Sequence, residues 1–452
     1  MNVVDTVKNA AFASAIQVAL KYMDKDPETN IPKVMSIVDK AAPKGWYEGQ
    51  RNAIRQGIAE KGNWYQLAQK IWELDAGVRK TFFTNFIVNA SLKGSALQKE
   101  TEEKEDCNVP WAILLDPTSA CNLHCTGCWA AEYGHKLSLD LDTIDDIVTQ
   151  GKKLGTYMYI YTGGEPMVRK KDIITICERH PDCEFLSFTN GTLIDEEFCQ
   201  EMLRVKNFVP AISLEGFETA NDGRRGPGVF DKVKHAMQLL KEHNLPFGIS
   251  TCYTSANYQD ITSEEFYDMI IEAGALFIWF FHYMPVGNDA APELMPNPEQ
   301  RKAVYEHIRA FRSSKPIFSL DFQNDAEYIG GCIAGGRYYL HINAAGDVDP
   351  CVFIHYSNAN IHEVSLLDAL KSPIFQAYRK GQPFNDNMLR PCPMLENPEC
   401  LPKMVKETGA HSTDPQSPED VDHLCDKCKP YAKAWTKMAD QLWEERMKAK
   451  GV

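Results

Sequence analysis

The spacing of hydrophobic positions changes along this chain of 452 residues. Over the first hundred residues, apolar side chains recur at every third or fourth position, which is the spacing of one face of a helix. We therefore expect a helical N-terminal domain over residues 1–106, which ends in the charged linker Glu100–Asp106. The residues that carry this pattern are Trp64, Leu67, Ala68, Ile71 and Trp72, followed by Val78, Phe82 and Phe86.

From residue 110 the apolar positions form short continuous runs, and stretches with helical spacing lie between them. Runs of this length are typical of buried parallel strands, and the helices between them supply the crossovers. Six such units predict an α/β fold with a partial (β/α)6 TIM-type barrel over residues 107–315. The predicted strands are 111–115, 157–161, 185–188, 210–214, 247–251 and 276–281, and the predicted helices are 140–154, 170–180, 194–205, 229–243 and 263–274.

The last part of the chain, residues 316–452, contains six cysteines and predicts a small α+β domain with a C-terminal helix. Tyr338 to Ile342 and Val348 predict a short hairpin that turns at Ala345–Gly346. Four other cysteines lie in periodic segments and are expected to be core thiols. They are Cys177, Cys183, Cys199 and Cys252.

Composition limits the class of protein. A net charge of −14 argues against nucleic acid as a partner, because binding to phosphate needs a basic surface. The apolar stretch Ala10–Leu20 is expected to be a helix rather than a signal peptide, and no run reaches the length of a membrane span. We therefore expect a cytoplasmic protein whose cysteines are metal ligands or buried thiols.

Three cysteines in one run, Cys121, Cys125 and Cys128, are the most informative motif. The spacing C-x3-C-x2-C places three thiolates on one loop, which can hold three irons of a four-iron cluster and leave the fourth open. A structural zinc ion usually takes four protein ligands from paired motifs, so zinc is the less favoured interpretation.

This loop resembles the cluster loop of the radical S-adenosylmethionine (radical SAM) superfamily. The family often has an aromatic residue before the last cysteine, whereas this chain has Gly127 there and Trp129 after it. The resemblance implies that the three cysteines are catalytic and that SAM binds the open iron. It also implies that an electron, from a reductant such as flavodoxin or ferredoxin, cleaves SAM to methionine and a 5′-deoxyadenosyl radical. That radical abstracts hydrogen from an unactivated carbon.

Segments at the ends of the predicted strands resemble the parts of the family that line the cofactor. Thr162–Pro166 resembles the GGEP motif, whose glycines let the backbone approach a ligand, and it implies a site for the methionine amino group. Segments 189–192, 213–216 and 221–226 resemble other cofactor-lining segments, and 283–287 could pack on adenine. The residues implied for the cofactor are Gly163, Gly164, Glu165, Pro166, Asn190, Ser213, Glu215, Arg225 and Met284.

The spacing C-x13-G-x4-C from Cys332 to Cys351 resembles the start of the SPASM and twitch auxiliary-cluster domains. The full cysteine pattern of a SPASM domain is missing, and six cysteines are too few for two complete clusters. The resemblance therefore implies one auxiliary [4Fe–4S] cluster; a structural zinc site is the competing interpretation. The implied ligands are Cys332, Cys351 and Cys392, with Cys425 or Cys428 as the fourth; the role of Cys400 is left open.

The substrate is the least determined part of the prediction. The SPASM-like element suggests modification of a peptide by formation of a thioether or carbon–carbon bond. The alternative is a lipid or another hydrophobic small molecule, including a porphyrin side chain. The aromatic N-terminal helices are expected to form a docking face, or else a cover over an apolar substrate or a membrane-surface contact. A hypothesis from another class is a non-catalytic iron–sulfur or zinc-binding protein.

Overall fold

The computed structural model describes residues 48–451 and isolated positions between residues 14 and 40. The helix expected over Ala10–Leu20 therefore lies outside the continuous described range. None of the helices in the part of the chain that the structure describes has the length and apolar composition that crossing a bilayer requires.

A nine-stranded sheet forms the centre of the fold, in the order β7-β6-β5-β4-β3-β2-β1-β8-β9. The six predicted strands are present and parallel, which confirms the predicted α/β fold with a partial barrel. The strands are β1 Ala112–Leu115, β2 Met158–Tyr161, β3 Glu184–Thr189, β4 Phe208–Ser213, β5 Gly248–Tyr253, β6 Phe277–His282, β7 Phe318–Asp321, β8 Tyr339–Ile342 and β9 Val348–Asp349. A separate pair is formed by β10 Tyr356–Ser357 and β11 His411–Ser412.

Two parallel strands extend the sheet beyond the six that were predicted. β7 pairs with β6, and β8 pairs with β1 at the opposite side. The predicted hairpin is confirmed, because β8 and β9 are antiparallel and Gly346 between them has a φ of 91°. Both β7 and β8 come from residues 316–452, and the division of the chain into domains at residues 106 and 315 stays a prediction.

Helices lie before, between and after these strands. The helices are α1 Glu48–Ala59, α2 Asn63–Glu73, α3 Ala76–Phe83, α4 Ser95–Glu105, α5 Leu141–Leu154, α6 Lys170–Arg179, α7 Glu196–Val205, α8 Glu218–Arg225, α9 Val229–Glu242, α10 Tyr258–Ile261, α11 Glu264–Ala273, α12 Pro298–Ser314, α13 Leu366–Leu370, α14 Pro373–Gly381, α15 Cys400–Thr408 and α16 Val421–Lys450.

Local sequence explains where these helices begin and end. At the start of α5 the Asp140 carboxylate accepts a hydrogen bond from the Thr143 N–H at 2.7 Å, and the helix ends at Gly155 with a φ of 98°. The buried face of α5 includes Ile144, Ile147 and Val148, which pack into the core that runs through the sheet. Capping and amphipathic spacing therefore agree on this crossover helix.

The described part of the N-terminal region, from Glu48 to Glu105, is helical as predicted, but the prediction of a charged linker over Glu100–Asp106 is wrong. A π-helix, Thr84–Gly94, follows α3 directly, and α4 continues it as far as Glu105. The buried Gln98 amide donates to the carbonyl of Gly155 at 2.9 Å, which holds α4 against the rest of the chain. A charged run is typical both of a linker and of the solvent face of a docked helix, and here it is the latter.

Candidate active site

The three-cysteine loop begins where β1 ends and lines one side of a cavity of about 310 Å³. Cys121, Cys125 and Cys128 are half-buried free thiols that all face this cavity. Burial raises the pKa of Cys121 to about 11, and it raises the pKa of Cys125 against the opposing effect of Arg225. Binding of a metal would deprotonate these thiols, as it must for any thiolate ligand.

Gly127 takes the position where the family often has an aromatic residue, and the structure supplies a reason. Its φ is 64°, and a Cβ at this position would lie 2.9 Å from the ring of Tyr283. The Tyr283 hydroxyl accepts a hydrogen bond from the Ala291 N–H at 2.9 Å, so the ring is held in place. The loop after β6 therefore packs where a side chain at residue 127 would stand.

The Gly163–Gly164 turn after β2 packs directly on the cysteine loop. The Gly164 N–H donates to the carbonyl of Thr118 at 3.0 Å, and the Glu165 N–H donates to the carbonyl of Ala120 at 2.8 Å. A Cβ on Gly163 would lie 2.7 Å from the Thr118 carbonyl oxygen. Only glycine allows this approach, which fixes the turn relative to the cysteines.

Glu165 lines the cavity, but its carboxylate is occupied by the protein. It accepts hydrogen bonds from the Thr189 hydroxyl at 2.6 Å, the Asn190 N–H at 2.7 Å and the Met167 N–H at 2.9 Å. Burial raises the pKa of Glu165, and these three donors oppose the rise. The carboxylate thus joins the ends of β2 and β3, and its role toward an amino group stays a prediction. Pro166 is buried at the start of a 3-10 turn and, unlike Glu165, is not among the residues that line the cavity.

Asn190, after β3, and Ser213, on β4, both line the cavity, and their contact with a cofactor stays a prediction. The Asn190 amide donates to the Asn122 side-chain oxygen at 2.8 Å, and the Asn122 amide donates to the Thr192 hydroxyl at 2.8 Å. These bonds connect the cysteine loop to the end of β3.

Glu215 lies behind the cavity wall and pairs with two arginines that face the cavity. Its carboxylate contacts the Arg224 guanidinium at 2.8 Å and the Arg225 Nε at 3.0 Å, and it is fully buried. Two guanidinium groups and one carboxylate leave a net charge of +1 beside Cys125. This charge suits a carboxylate such as that of SAM.

Arg224 was not among the predicted site residues, although it faces the cavity beside Arg225. Its carbonyl accepts a hydrogen bond from the Thr126 N–H at 3.0 Å, so the end of α8 is tied to the cysteine loop. The doublet of arginines in the sequence was the available indication. Cys252, expected in the core, also lines the cavity between the two arginines and β6, whereas Cys177, Cys183 and Cys199 are buried as predicted.

A run of aromatic side chains forms another part of the cavity wall, and no sequence motif predicted it. Phe188 contacts Trp279 at 5.5 Å, and Trp279 stacks on Phe281 at 5.6 Å. Phe281 contacts Phe322 at 5.2 Å between ring centroids. The wall continues through Phe353 to Trp129, which follows Cys128, with centroid distances of 6.4 and 6.2 Å. Edge-to-face and stacked contacts of this kind form a rigid apolar surface.

A second, smaller cavity of about 40 Å³ is lined by Cys332, Cys351 and Cys392, three of the predicted auxiliary ligands. Burial raises the pKa of Cys332 to about 11 and that of Cys351 to about 12. Five side chains line both cavities, so the two sites are neighbours. They are Met284, Phe322, Ile333, Tyr339 and Phe353.

Cys425 and Cys428 are buried on α16, and Cys400 begins α15. Burial and the charges of Cys351, Cys332, Cys392 and Cys425 raise the pKa of the Tyr378 phenol, which places Cys425 in the same neighbourhood. The choice between Cys425 and Cys428 as fourth ligand stays a prediction. Among the described residues, no three His, Cys, Asp or Glu side chains are arranged around one metal ion. In a four-iron cluster each thiolate binds its own iron, so the thiolates need not converge on one atom.

Comparison with known proteins agrees with this geometry. The family model described as the radical SAM superfamily matches residues 115–273, and the model of the SPASM iron–sulfur cluster-binding domain matches residues 332–396. The chain contains a radical SAM domain followed by a SPASM domain. The assignment implies a [4Fe–4S] cluster with SAM and an auxiliary iron–sulfur site. The three-cysteine loop, the close glycine turn and the pair of arginines fit the former, and the second cysteine cavity fits the latter.

Individual relatives are distant. An AdoMet-dependent heme synthase of Methanosarcina barkeri is 26% identical over 289 residues, which cover 57% of this chain and 80% of that protein. A PqqA peptide cyclase of Granulibacter bethesdensis is 24% identical over 307 residues, which cover 63% of this chain and 79% of that protein. The crystal structure of Streptococcus suis SuiB bound to S-adenosylmethionine has a TM-score of 0.57 at 18% identity and covers 73% of this chain and 81% of that one, which shows a common fold.

Proposed function

We propose that this radical SAM enzyme abstracts a hydrogen atom from an unactivated carbon of a hydrophobic small molecule held against the aromatic wall. When bound, the cluster and SAM supply a 5′-deoxyadenosyl radical, with the electron coming from an external reductant such as flavodoxin or ferredoxin. The chain's own residues would bind and orient: Arg224 and Arg225, which line the cavity, would hold the cofactor carboxylate, and the wall from Phe188 to Trp129 would exclude water.

The lining of the cavity is the observation that carries this proposal. Among the described residues that line it, the charged side chains are Glu165, Arg224 and Arg225, and all three lie at the cluster end. The remaining surface is largely aromatic and aliphatic. A buried peptide backbone needs a hydrogen-bond partner for each N–H and C=O group. The wall offers few such partners, whereas it matches an apolar substrate.

Modification of a peptide by a thioether or carbon–carbon bond is the second candidate. It is supported by the similarity to a PqqA peptide cyclase and by the common fold with SuiB, which has been crystallised bound to its precursor peptide SuiA. The SuiB complex has a TM-score of 0.54 at 20% identity. A peptide could place a single apolar side chain against the wall and keep its backbone outside.

Transfer of deuterium distinguishes the two candidates. The reconstituted enzyme is incubated with SAM and dithionite in the presence of either a perdeuterated lipid extract or a perdeuterated peptide digest, and 5′-deoxyadenosine is analysed by mass spectrometry. The proposal predicts deuterium in 5′-deoxyadenosine from the lipid extract. Deuterium from the peptide digest alone would contradict the proposal and favour the second candidate.

A further inference from the structure

We propose that the cavity continues past the cofactor as a channel for a long aliphatic chain, which leaves the protein between Trp111 and Tyr338. The inference rests on the proposed function and names its substrate class: a molecule with a long, unbranched hydrocarbon chain whose reacting carbon lies at the cluster end. Four observations carry it: the length of the channel, its mouth, its lining and the surface outside.

The lining of the cavity extends along the whole of β1. Ala112 and Leu114 are alternate residues of this strand and both face the cavity, which also reaches Trp111 before the strand and Cys121 after it. At a rise of about 3.3 Å per residue, the four residues of β1 alone span about 10 Å. The cavity therefore runs from the cluster loop to the amino end of the sheet.

Tyr338 marks the place where the cavity meets the surface. This side chain lines the cavity and is also 40% exposed to solvent. The Ala112 N–H donates to the Tyr338 carbonyl at 2.9 Å, so Tyr338 and the half-buried Trp111 stand at the same edge. The mouth thus lies at the opposite end of β1 from the cysteines.

The channel between its two ends is mostly apolar. Ala112 supplies a small side chain near the mouth, and Leu114, Ile160 and Trp279 line the path, with Ser250, the sheet neighbour of Trp279, as a polar side chain beside them. The cations that a polycarboxylate such as a tetrapyrrole would need are at the cluster end, where Glu215 already offsets one of them. An aliphatic chain needs no polar partner along this path.

Aromatic side chains continue outside the mouth along the end of α3 and the π-helix Thr84–Gly94. Phe86 meets the Trp111 ring edge to face at 5.4 Å, and it stacks on Phe82 at 5.3 Å. Both phenylalanines are half-buried rather than enclosed. π-Helices are rare and frequently lie at functional sites, and this one forms an apolar lip at the mouth.

A displacement assay tests the channel in the reconstituted enzyme. The fluorescent C18 fatty acid cis-parinaric acid is bound and then displaced by octanoic, dodecanoic and palmitic acids, and by dipalmitoyl phosphatidylglycerol to separate free from esterified chains. We expect affinity to rise with chain length, by up to about fourfold for each fully buried CH2 group. Iron coproporphyrin III and a ten-residue peptide serve as rival ligands.

Two variants and a control locate the binding site. Ala112→Phe fills the channel just inside its mouth and should weaken the binding of palmitic acid about a hundredfold, the loss of roughly three or four buried CH2 groups. Tyr338→Glu places a charge at the exposed mouth and should weaken the binding of palmitic acid without disturbing the core. Val364→Phe, at a position that is 37% exposed and lies outside the cavity, should bind palmitic acid as the unaltered protein does.

The outcomes separate this inference from the proposed function. The channel is contradicted if the enzyme forms 5′-deoxyadenosine but its affinity for fatty acids does not depend on chain length. It is also contradicted if only the porphyrin or the peptide displaces cis-parinaric acid. Binding of palmitic acid that both variants leave unchanged overturns it as well. Binding that follows chain length in a protein that transfers no deuterium from lipid would instead contradict the proposed reaction and leave the channel intact.

Discussion

Replacing Gly164 by alanine should separate the glycine turn from the cysteine loop. A Cβ at this position would lie 2.5 Å from the Ser119 carbonyl oxygen, and it would meet the Ala120 carbonyl oxygen more closely still. Both oxygens belong to the backbone just before Cys121. Because Gly164 does not have a positive φ, the variant tests close approach alone, without a conformational penalty.

The size of the effect follows from these contacts. Carbon and oxygen atoms ordinarily approach to about 3.3 Å, so the two segments must separate by about 1 Å. Overpacking of this kind costs about 1–3 kcal/mol. The separation also stretches the hydrogen bonds from Gly164 to Thr118 and from Glu165 to Ala120, each worth about 1 kcal/mol. We therefore expect a loss of about 3–5 kcal/mol in the free energy of unfolding, and weaker SAM binding.

Urea unfolding under anaerobic conditions and equilibrium dialysis of SAM measure both effects. Gly223→Ala is the matched control, since Gly223 lies within α8 near the site and a Cβ there meets no atom within 4 Å. That control should be about 0.5–1 kcal/mol more stable than the unaltered protein, because alanine favours a helix over glycine. Equal stability and equal SAM binding in the two variants would refute the argument that the turn and the loop are rigidly packed.

Three further predictions concern buried charges and the auxiliary site. The fully buried carboxylate of Glu396 lies 2.7 Å from the Arg301 guanidinium, and Arg301→Met removes this charged partner. The free energy of unfolding, measured in urea, should fall by about 3–5 kcal/mol, and adding Glu396→Leu should recover most of the loss. Burial lowers the pKa of His341, but the neighbouring aspartates outweigh it and raise this pKa to about 10 in the folded protein. The protonated imidazole therefore stabilises the fold fully below pH 6.5, and this stabilisation is lost as the pH rises toward 10. The unfolding free energy should fall over that range more steeply than in His341→Asn, and parallel curves would count against the buried charge. Cys332→Ala should lower the bound iron by about one four-iron cluster, whereas the control Cys199→Ala should not change it. An unchanged iron content in Cys332→Ala would contradict the auxiliary cluster.

Most of the barrel could be predicted because its strands are continuous apolar runs and its helices have a clear periodicity. The exceptions have physical causes. The strand β7, Phe318–Asp321, has no continuous apolar run, because it alternates apolar and polar residues, and the sequence analysis did not predict it. Its buried side chains are the polar ones, Ser319 and Asp321. The helix α8 contains a run of polar residues, Asn221 to Arg225, so no hydrophobic face indicated it.

Local motifs indicated many of the residues that line the cavity beside the cysteine loop, because each motif follows a strand and the strand ends of a parallel sheet meet. Relations between distant segments could not be predicted. The Glu215 carboxylate was expected beside the cofactor, but it lies behind Arg224 and Arg225. The aromatic wall combines side chains from β3, β6, two later loops and the turn after Cys128, and nothing in the spacing of Phe188 or Phe353 indicates that they share one cavity.

The central claim is that Cys121, Cys125 and Cys128 hold a cluster that cleaves SAM reductively. Its most direct test is anaerobic reconstitution with iron and sulfide, followed by dithionite and SAM, and quantification of 5′-deoxyadenosine and methionine. We expect both products in equal amounts from the unaltered protein and from the buried-thiol control Cys199→Ala, and neither from Cys125→Ala. A protein fully loaded with iron that releases neither product would contradict the claim.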